Sequence, residues 1–165
     1  MTHISATRVR SSSGRQYHIG LKEGELAENI LLCGDPARVE KVAAYFDEKS
    51  KPITHREYVT VTGTYKGVPL SVMATGIGCD NTEIALIEIS QILKKATIIR
   101  IGSCSALKEH VELGEVIIST GAVRLENTTD SYVCPGYPAI AHYEIVSALI
   151  DSAKSQEIPY SVGIT

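Results

Sequence analysis

Short apolar runs alternate with longer amphipathic stretches along most of this chain. Ile30 to Cys33 is apolar and ends in Gly34, which predicts a buried strand stopped by a turn. Asp35 followed by Pro36 predicts a helix start, a capping carboxylate ahead of proline at the first helical position. That helix runs to about Phe46, with Val39, Val42, Ala43 and Phe46 on one face. Glu57 to Lys66 and Val68 to Thr75 read as two half-buried strands of a hairpin around Lys66-Gly67. Gly76-Ile77-Gly78 is a tight turn. A helix follows from Asn81 to about Lys94, with Asp80 and Glu83 spaced like a capping box. Its apolar residues lie nearly all round, so it is expected to be well buried. Ala96 to Ile101 is a mostly apolar strand interrupted by Thr97 and Arg100, and Gly102-Ser103-Cys104-Ser105 ends it. Glu115 to Leu125 and Tyr160 to Thr165 read as further strands. Between them Pro138 to about Lys154 is an amphipathic helix facing inward through Ile145, Val146, Leu149, Ile150 and Ala153.

Strands alternating with helices predict an α/β fold, a three-layer αβα sandwich with a mixed, largely parallel central sheet. Ligands in such sheets bind at the carboxyl ends of strands, where the glycine turns and arginines of this chain fall. The last predicted strand has no covering helix after it, so an α/β domain over 16–165 that is incomplete at its C-terminus is expected. The first 22 residues hold no Asp or Glu but carry Arg8, Arg10, Arg15 and Lys22. Residues 1–15 are expected to be a flexible, solvated leader, with a short targeting peptide as the alternative.

Composition narrows the function classes. The chain has 165 residues, 44% apolar and 21% charged, with a net charge of −3, which suits one soluble globular domain. No run of 18 apolar residues occurs, so no membrane-spanning helix and no membrane partner are expected. The mild acidity argues against a nucleic-acid binder. Cys33, Cys79, Cys104 and Cys134 are widely spaced and form no C-x-x-C pair. They read as free thiols of a reducing compartment, the cytoplasm, with no metal site.

Three segments carry candidate chemistry. Gly34-Asp35-Pro36-Ala37-Arg38 follows a strand and opens a helix, so free amides, the helix dipole and an arginine face one place where an anion fits. An ordinary turn with a solvated arginine is the alternative. Arg100 interrupts an apolar strand and needs either a carboxylate partner or a bound anion. Ser103, Cys104 and Ser105 line the same strand end with small donors; no Cys-His-Asn arrangement accompanies Cys104. In His55-Arg56-Glu57, Arg56 is a third anion donor unless Glu57 neutralises it. His18 stands in Tyr17-His18-Ile19-Gly20.

In this order, YHIGL from Tyr17, GDPARVEK from Gly34, HREY from His55, ATGIG from Ala74, IRIGSCSA from Ile99, LGEV from Leu113, AVRL from Ala122 and YPAIAHYE from Tyr137 resemble the nucleoside phosphorylase superfamily. Within it they are most similar to the uridine phosphorylases. The similarity spans Gln16 to Thr165. It implies phosphate-dependent cleavage of a nucleoside, uridine plus phosphate giving uracil and ribose 1-phosphate, a pentosyltransferase step in nucleoside salvage or catabolism. It implies no cofactor, inorganic phosphate being the co-substrate. It places Gly34, Arg38 and Arg100 on phosphate, with Ser103 where the family commonly has threonine. Arg56 would reach phosphate from a neighbouring subunit, and His18 would touch the 5′ end of the ribose across the same interface. Ser103, Cys104 and Ser105 would line the nucleoside. A homodimer, often assembled into a hexamer, is the implied active unit; some bacterial members of the family also bind potassium at that interface, near the position of Glu57. Two positions depart from the family: Ser105 and Cys79 stand where it has glycine. Its C-terminal third, which recognises the base, has no counterpart before Thr165. The alternatives are a purine nucleoside phosphorylase or nucleosidase of the same fold, or a non-catalytic phosphate-binding fragment.

Overall fold

Alternation along one strand sets the layering. In β1 (Asn29–Cys33), Ile30 and Leu32 enter one apolar cluster while Leu31 and Cys33 enter another, because successive side chains leave a strand on opposite faces. The computed structural model describes residues 8–165, so the first part of the expected leader, 1–7, lies outside the described residues. Within the rest of that leader Arg10 bridges to Gln16, and Arg15 grips Glu25 through two contacts of 2.6 Å. By its own packing the chain divides into two compact units, Met1–Ser103 and Cys104–Thr165.

In the first unit β1 is followed by α1 (Pro36–Ala43), β2 (Glu48–Lys49), β3 (Ile53–His55), β4 (Tyr58–Tyr65), β5 (Val68–Ala74), α2 (Cys79–Ser90) and β6 (Thr97–Arg100). The sheet order is β2-β4-β5-β1-β6, with β3 also on β4. The pairs β5–β1 and β1–β6 are parallel, and the pairs of β4 are antiparallel. Asp35 caps α1 as expected: its Oδ1 accepts from the Ala37 amide at 2.9 Å, with Pro36 at the helix start. The β4–β5 hairpin turns on Lys66 (φ 50°) and Gly67 (φ 76°), the double left-handed geometry that matches strand twist.

One face of the sheet buries Ile30, Leu32, Tyr58 and Met73 against Ala85 and Ile89 of α2, with Ile19 and Leu21. The other buries Cys33, Val61, Val72 and Ala74 against Val39 and Ala43 of α1. The unit is thus helix, sheet, helix. Each fully buried Leu, Ile or Met contributes roughly 1.5–3 kcal/mol.

Three local expectations are corrected. Gly78 (φ 108°) occupies the N-cap of α2 without a side-chain cap, so the helix starts before the expected Asp80–Glu83 box and Asp80 falls in its first turn. Only Ala85, Glu88 and Ile89 of α2 are buried, because one sheet face covers one side of it. Glu57 does not open a strand: β3 and β4 flank Arg56 (φ 54°) in a tight turn.

The second unit has β7 (Val116–Gly121), a 3-10 turn at Thr129–Ser131, α3 (Tyr143–Ser155) and β8 (Tyr160–Ile164), with β7 parallel to β8. A parallel pair needs such a helical crossover. Ile145, Val146, Leu149 and Ile150 of α3 are half-buried and Ala153 is buried, the face expected from the pattern. The helix starts later than Pro138 because that stretch is held extended. Ala122 donates to the Ala139 carbonyl at 2.8 Å, and Ala141 donates to that of Thr120 at 3.0 Å. Those bonds also end β7 at Gly121, short of Leu125. Among the described residues no helix is long and apolar enough to cross a membrane.

Candidate functional site

Three parallel strand ends meet at one edge of the first unit. The Thr75 amide donates to the Cys33 carbonyl at 2.9 Å and the Ile101 amide to that of Leu32 at 2.8 Å. Gly76, Gly34 and the Arg100–Gly102 segment therefore lie side by side at the carboxyl edge of β5, β1 and β6. A Cβ at Gly34 would sit 3.3 Å from the Gly76 oxygen and 3.6 Å from an Arg100 guanidinium nitrogen, so a side chain there would crowd the Gly76 carbonyl and narrow that space. The N-terminus of α1 opens directly beyond it.

Arg100 reaches back over its own strand end: a Cβ at Gly102 would lie 2.9 Å from its Nη1. The side chain is exposed, and among the described residues no carboxylate lies within salt-bridge distance of it. The internal ion pair that its sequence left open is therefore not formed. Arg38 is half-buried and donates through Nη1 to the Ile101 carbonyl at 3.3 Å. Both guanidiniums act on the buried Cys33 thiol and favour its thiolate, but burial outweighs them and pushes its pKa up. Two cations thus converge on one strand edge beside a helix N-terminus, an arrangement suited to a doubly charged oxyanion.

Gly34 also lines a cavity of about 500 Å³ shared with Glu57, Gly76, Ile77 and Asn81. Arg56 lies elsewhere. Its guanidinium stacks 5.0 Å from the centre of the Tyr17 ring rather than pairing with Glu57, and it lines a separate groove of about 910 Å³ with Tyr17, Gly20 and His55. The structure therefore brings Gly34, Arg38 and Arg100 together and leaves Arg56 apart from them. Ser103 is exposed just beyond Arg100. Cys104, a free thiol, and Ser105 are exposed at the start of the second unit.

His18 is held by a residue the sequence pattern did not single out. The Glu88 carboxylate accepts from the His18 amide at 3.0 Å, the Ile19 amide at 2.8 Å and the His18 Nδ1 at 2.7 Å. His55 fixes the other side of this segment by donating from Nδ1 to the His18 carbonyl at 2.8 Å. A lone glutamate between Ile87 and Ile89 in an apolar helix was the available signal.

The phosphorylase superfamily profile matches residues 29–165. A uridine phosphorylase of Thermococcus kodakarensis is 47% identical over 162 residues, 98% of this chain and 58% of that protein. The crystal structure of uridine phosphorylase from Vibrio fischeri aligns with a TM-score of 0.89 at 31% identity, covering 94% of this chain and 65% of that one. A purine nucleoside phosphorylase from Toxoplasma gondii, in complex with immucillin-H, aligns with a TM-score of 0.88 at 31% identity over 94% of this chain and 63% of its own. With the strand-edge arginines and the mixed sheet between helices in view, the chain belongs to the phosphorylase superfamily. It spans less than two thirds of the length of these relatives.

Proposed function

We propose that this chain carries the phosphate-handling part of a uridine phosphorylase, which converts uridine and inorganic phosphate into uracil and ribose 1-phosphate. The observation that supports it most is Arg100, a guanidinium with no carboxylate partner among the described residues, beside Gly34 and Gly102 at the edge where Arg38 and the start of α1 also lie. Phosphate held there by Arg38 and Arg100 attacks the sugar carbon. The electrons of the N-glycosidic bond leave with the base, which takes up a proton. Positive charge grows on the ribose as that bond breaks. The bound dianion is both nucleophile and counter-charge, so positioning and electrostatics supply most of the acceleration. No cofactor enters this scheme.

Arg56 faces its own groove with Tyr17 and His55. It serves in this proposal as a donor to the site of a second copy, with His18 reaching the ribose across the same interface. The assembly is then a homodimer, or a hexamer of three dimers, working in the cytoplasm in pyrimidine salvage. A purine nucleoside phosphorylase is the second reading, favoured by the nearly equal structural match to the Toxoplasma gondii enzyme. Cleavage of uridine, inosine and guanosine by the purified chain, with and without phosphate, separates the two. Uracil release that requires phosphate is expected. Purine release alone would favour the second reading; phosphate-independent cleavage, or none with any nucleoside, would contradict catalysis of this kind by the chain.

A further inference from the structure

Asp35 is a carboxylate at the strand edge proposed above for an anion, and that chemistry gives it no part. Its Oδ1 caps α1 by accepting from the Ala37 amide at 2.9 Å, and its Oδ2 has no hydrogen-bond or ion-pair partner among the described residues. Asp35 lines the cavity of about 500 Å³ next to Gly34, where a Cβ would lie 3.6 Å from an Arg100 guanidinium nitrogen. Its charge acts on the Cys33 thiol, as do those of Arg38 and Arg100, so the three charged side chains lie around one residue of β1. The cap itself does not need that charge, since asparagine caps a helix as well as aspartate. A carboxylate facing a bound anion repels it unless the anion brings a proton to share. The phosphate dianion keeps one P–OH group. Sulfate has the same charge and the same tetrahedral shape, and carries no proton at neutral pH.

We propose that Asp35 is a specificity-determining residue that selects the phosphate dianion over sulfate, its Oδ2 accepting the P–OH hydrogen bond while Arg38 and Arg100 hold the oxygens that carry the charge. The contact also orients the anion, because the protonated oxygen turns to Asp35 and an unprotonated one is left free to attack. Against sulfate the same carboxylate meets a negative oxygen with no proton between them, a repulsive element of the kind that makes a site selective. Glu57 lines the same cavity from the Gly76 side; Asp35 is the carboxylate joined directly to Gly34. This inference rests on the phosphate reading above.

The test is calorimetric titration of the whole chain with phosphate and, separately, with sulfate, at neutral pH and matched ionic strength. The unsubstituted chain is expected to bind phosphate at least about tenfold more tightly than sulfate, the worth of one charge-assisted hydrogen bond. Asp35→Asn keeps the cap and the shape, and is expected to bring that ratio to about threefold or less, chiefly by tightening sulfate. A purely structural role of the cap would weaken both anions alike and leave the ratio where it was. Equal binding of the two anions by the unsubstituted chain, or an unchanged ratio in Asp35→Asn, overturns the selectivity and leaves the phosphate edge standing. A ratio lost in Glu57→Gln but kept in Asp35→Asn overturns the choice of Asp35. Binding of neither anion overturns this inference together with the phosphate reading.

Discussion

The two units of this chain bury their apolar residues very differently. Met1–Ser103 packs Leu32, Tyr58, Met73 and Val72 to within 2% of full burial on the two faces of one sheet. Cys104–Thr165 fully buries only Ile118 and Ala153 among its large or small apolar residues, while Leu107, Leu113 and Leu125 stand in the open. A sheet covered on both faces by helices removes whole side chains from water; a two-stranded parallel pair with one helix has a face to spare. Stability is therefore concentrated in the first unit, which also carries Gly34, Arg38 and Arg100. The lesson is that the strand edge presenting Arg38 and Arg100 is built on the unit with the double-sided core.

The largest test of that contrast is a pair of truncations. Leu32→Ala is expected to destabilise the first unit by about 3 kcal/mol, and Leu113→Ala to change stability by less than about 0.5 kcal/mol, both read from urea unfolding. Similar values would erase the contrast. Next, Glu88→Ala strips acceptors from the His18 and Ile19 amides and is expected to lower stability by about 2 kcal/mol. A thermal unfolding midpoint equal to that of the unsubstituted chain would contradict this.

These expectations also mark what was legible. Asp35-Pro36 and Lys66-Gly67 are local chemistry, readable from neighbouring residues, and both form as expected. Arg100 announces itself as a charge in an apolar strand; its lack of a carboxylate partner depends on tertiary geometry. The strands β2 and β3 are too short to show any period. The left-handed turn at Arg56 falls on a residue that does not favour it, so no signal precedes it. Gly78 displaces the expected cap at Asp80 because two competing starts lie within three residues, and the glycine can adopt the turn that begins the helix earlier.

A smaller effect belongs to the second unit. Ser161 and the Glu112 amide donate to the Glu115 carboxylate and hold its pKa below the usual carboxylate value. A group depressed in the folded state contributes stability above its unfolded pKa and loses it as the pH falls through the folded one. The protection of the β7 and β8 amides, with the intrinsic pH dependence of exchange divided out, is therefore expected to fall in acid below the ordinary carboxylate range. Ser161→Ala is expected to bring the Glu115 titration, followed by carboxyl NMR, back toward 4.5. A titration unmoved by the substitution would show that the hydrogen bond does not set it. The smallest readout is thiol labelling. Cys79, Cys104 and Cys134 are exposed and expected to react promptly, while Cys33 reacts only when the first unit opens. Prompt labelling of Cys33 in the native chain would contradict a well-packed first unit.

The central claim is that the edge formed by Gly34, Arg38 and Arg100 binds phosphate. Calorimetric titration of inorganic phosphate into the purified chain and into Arg100→Ala tests it most directly. Saturable binding that weakens roughly 10- to 150-fold on substitution is the predicted result, the range of a charge-assisted hydrogen bond. Binding of equal strength in both proteins, or none in either, would contradict it.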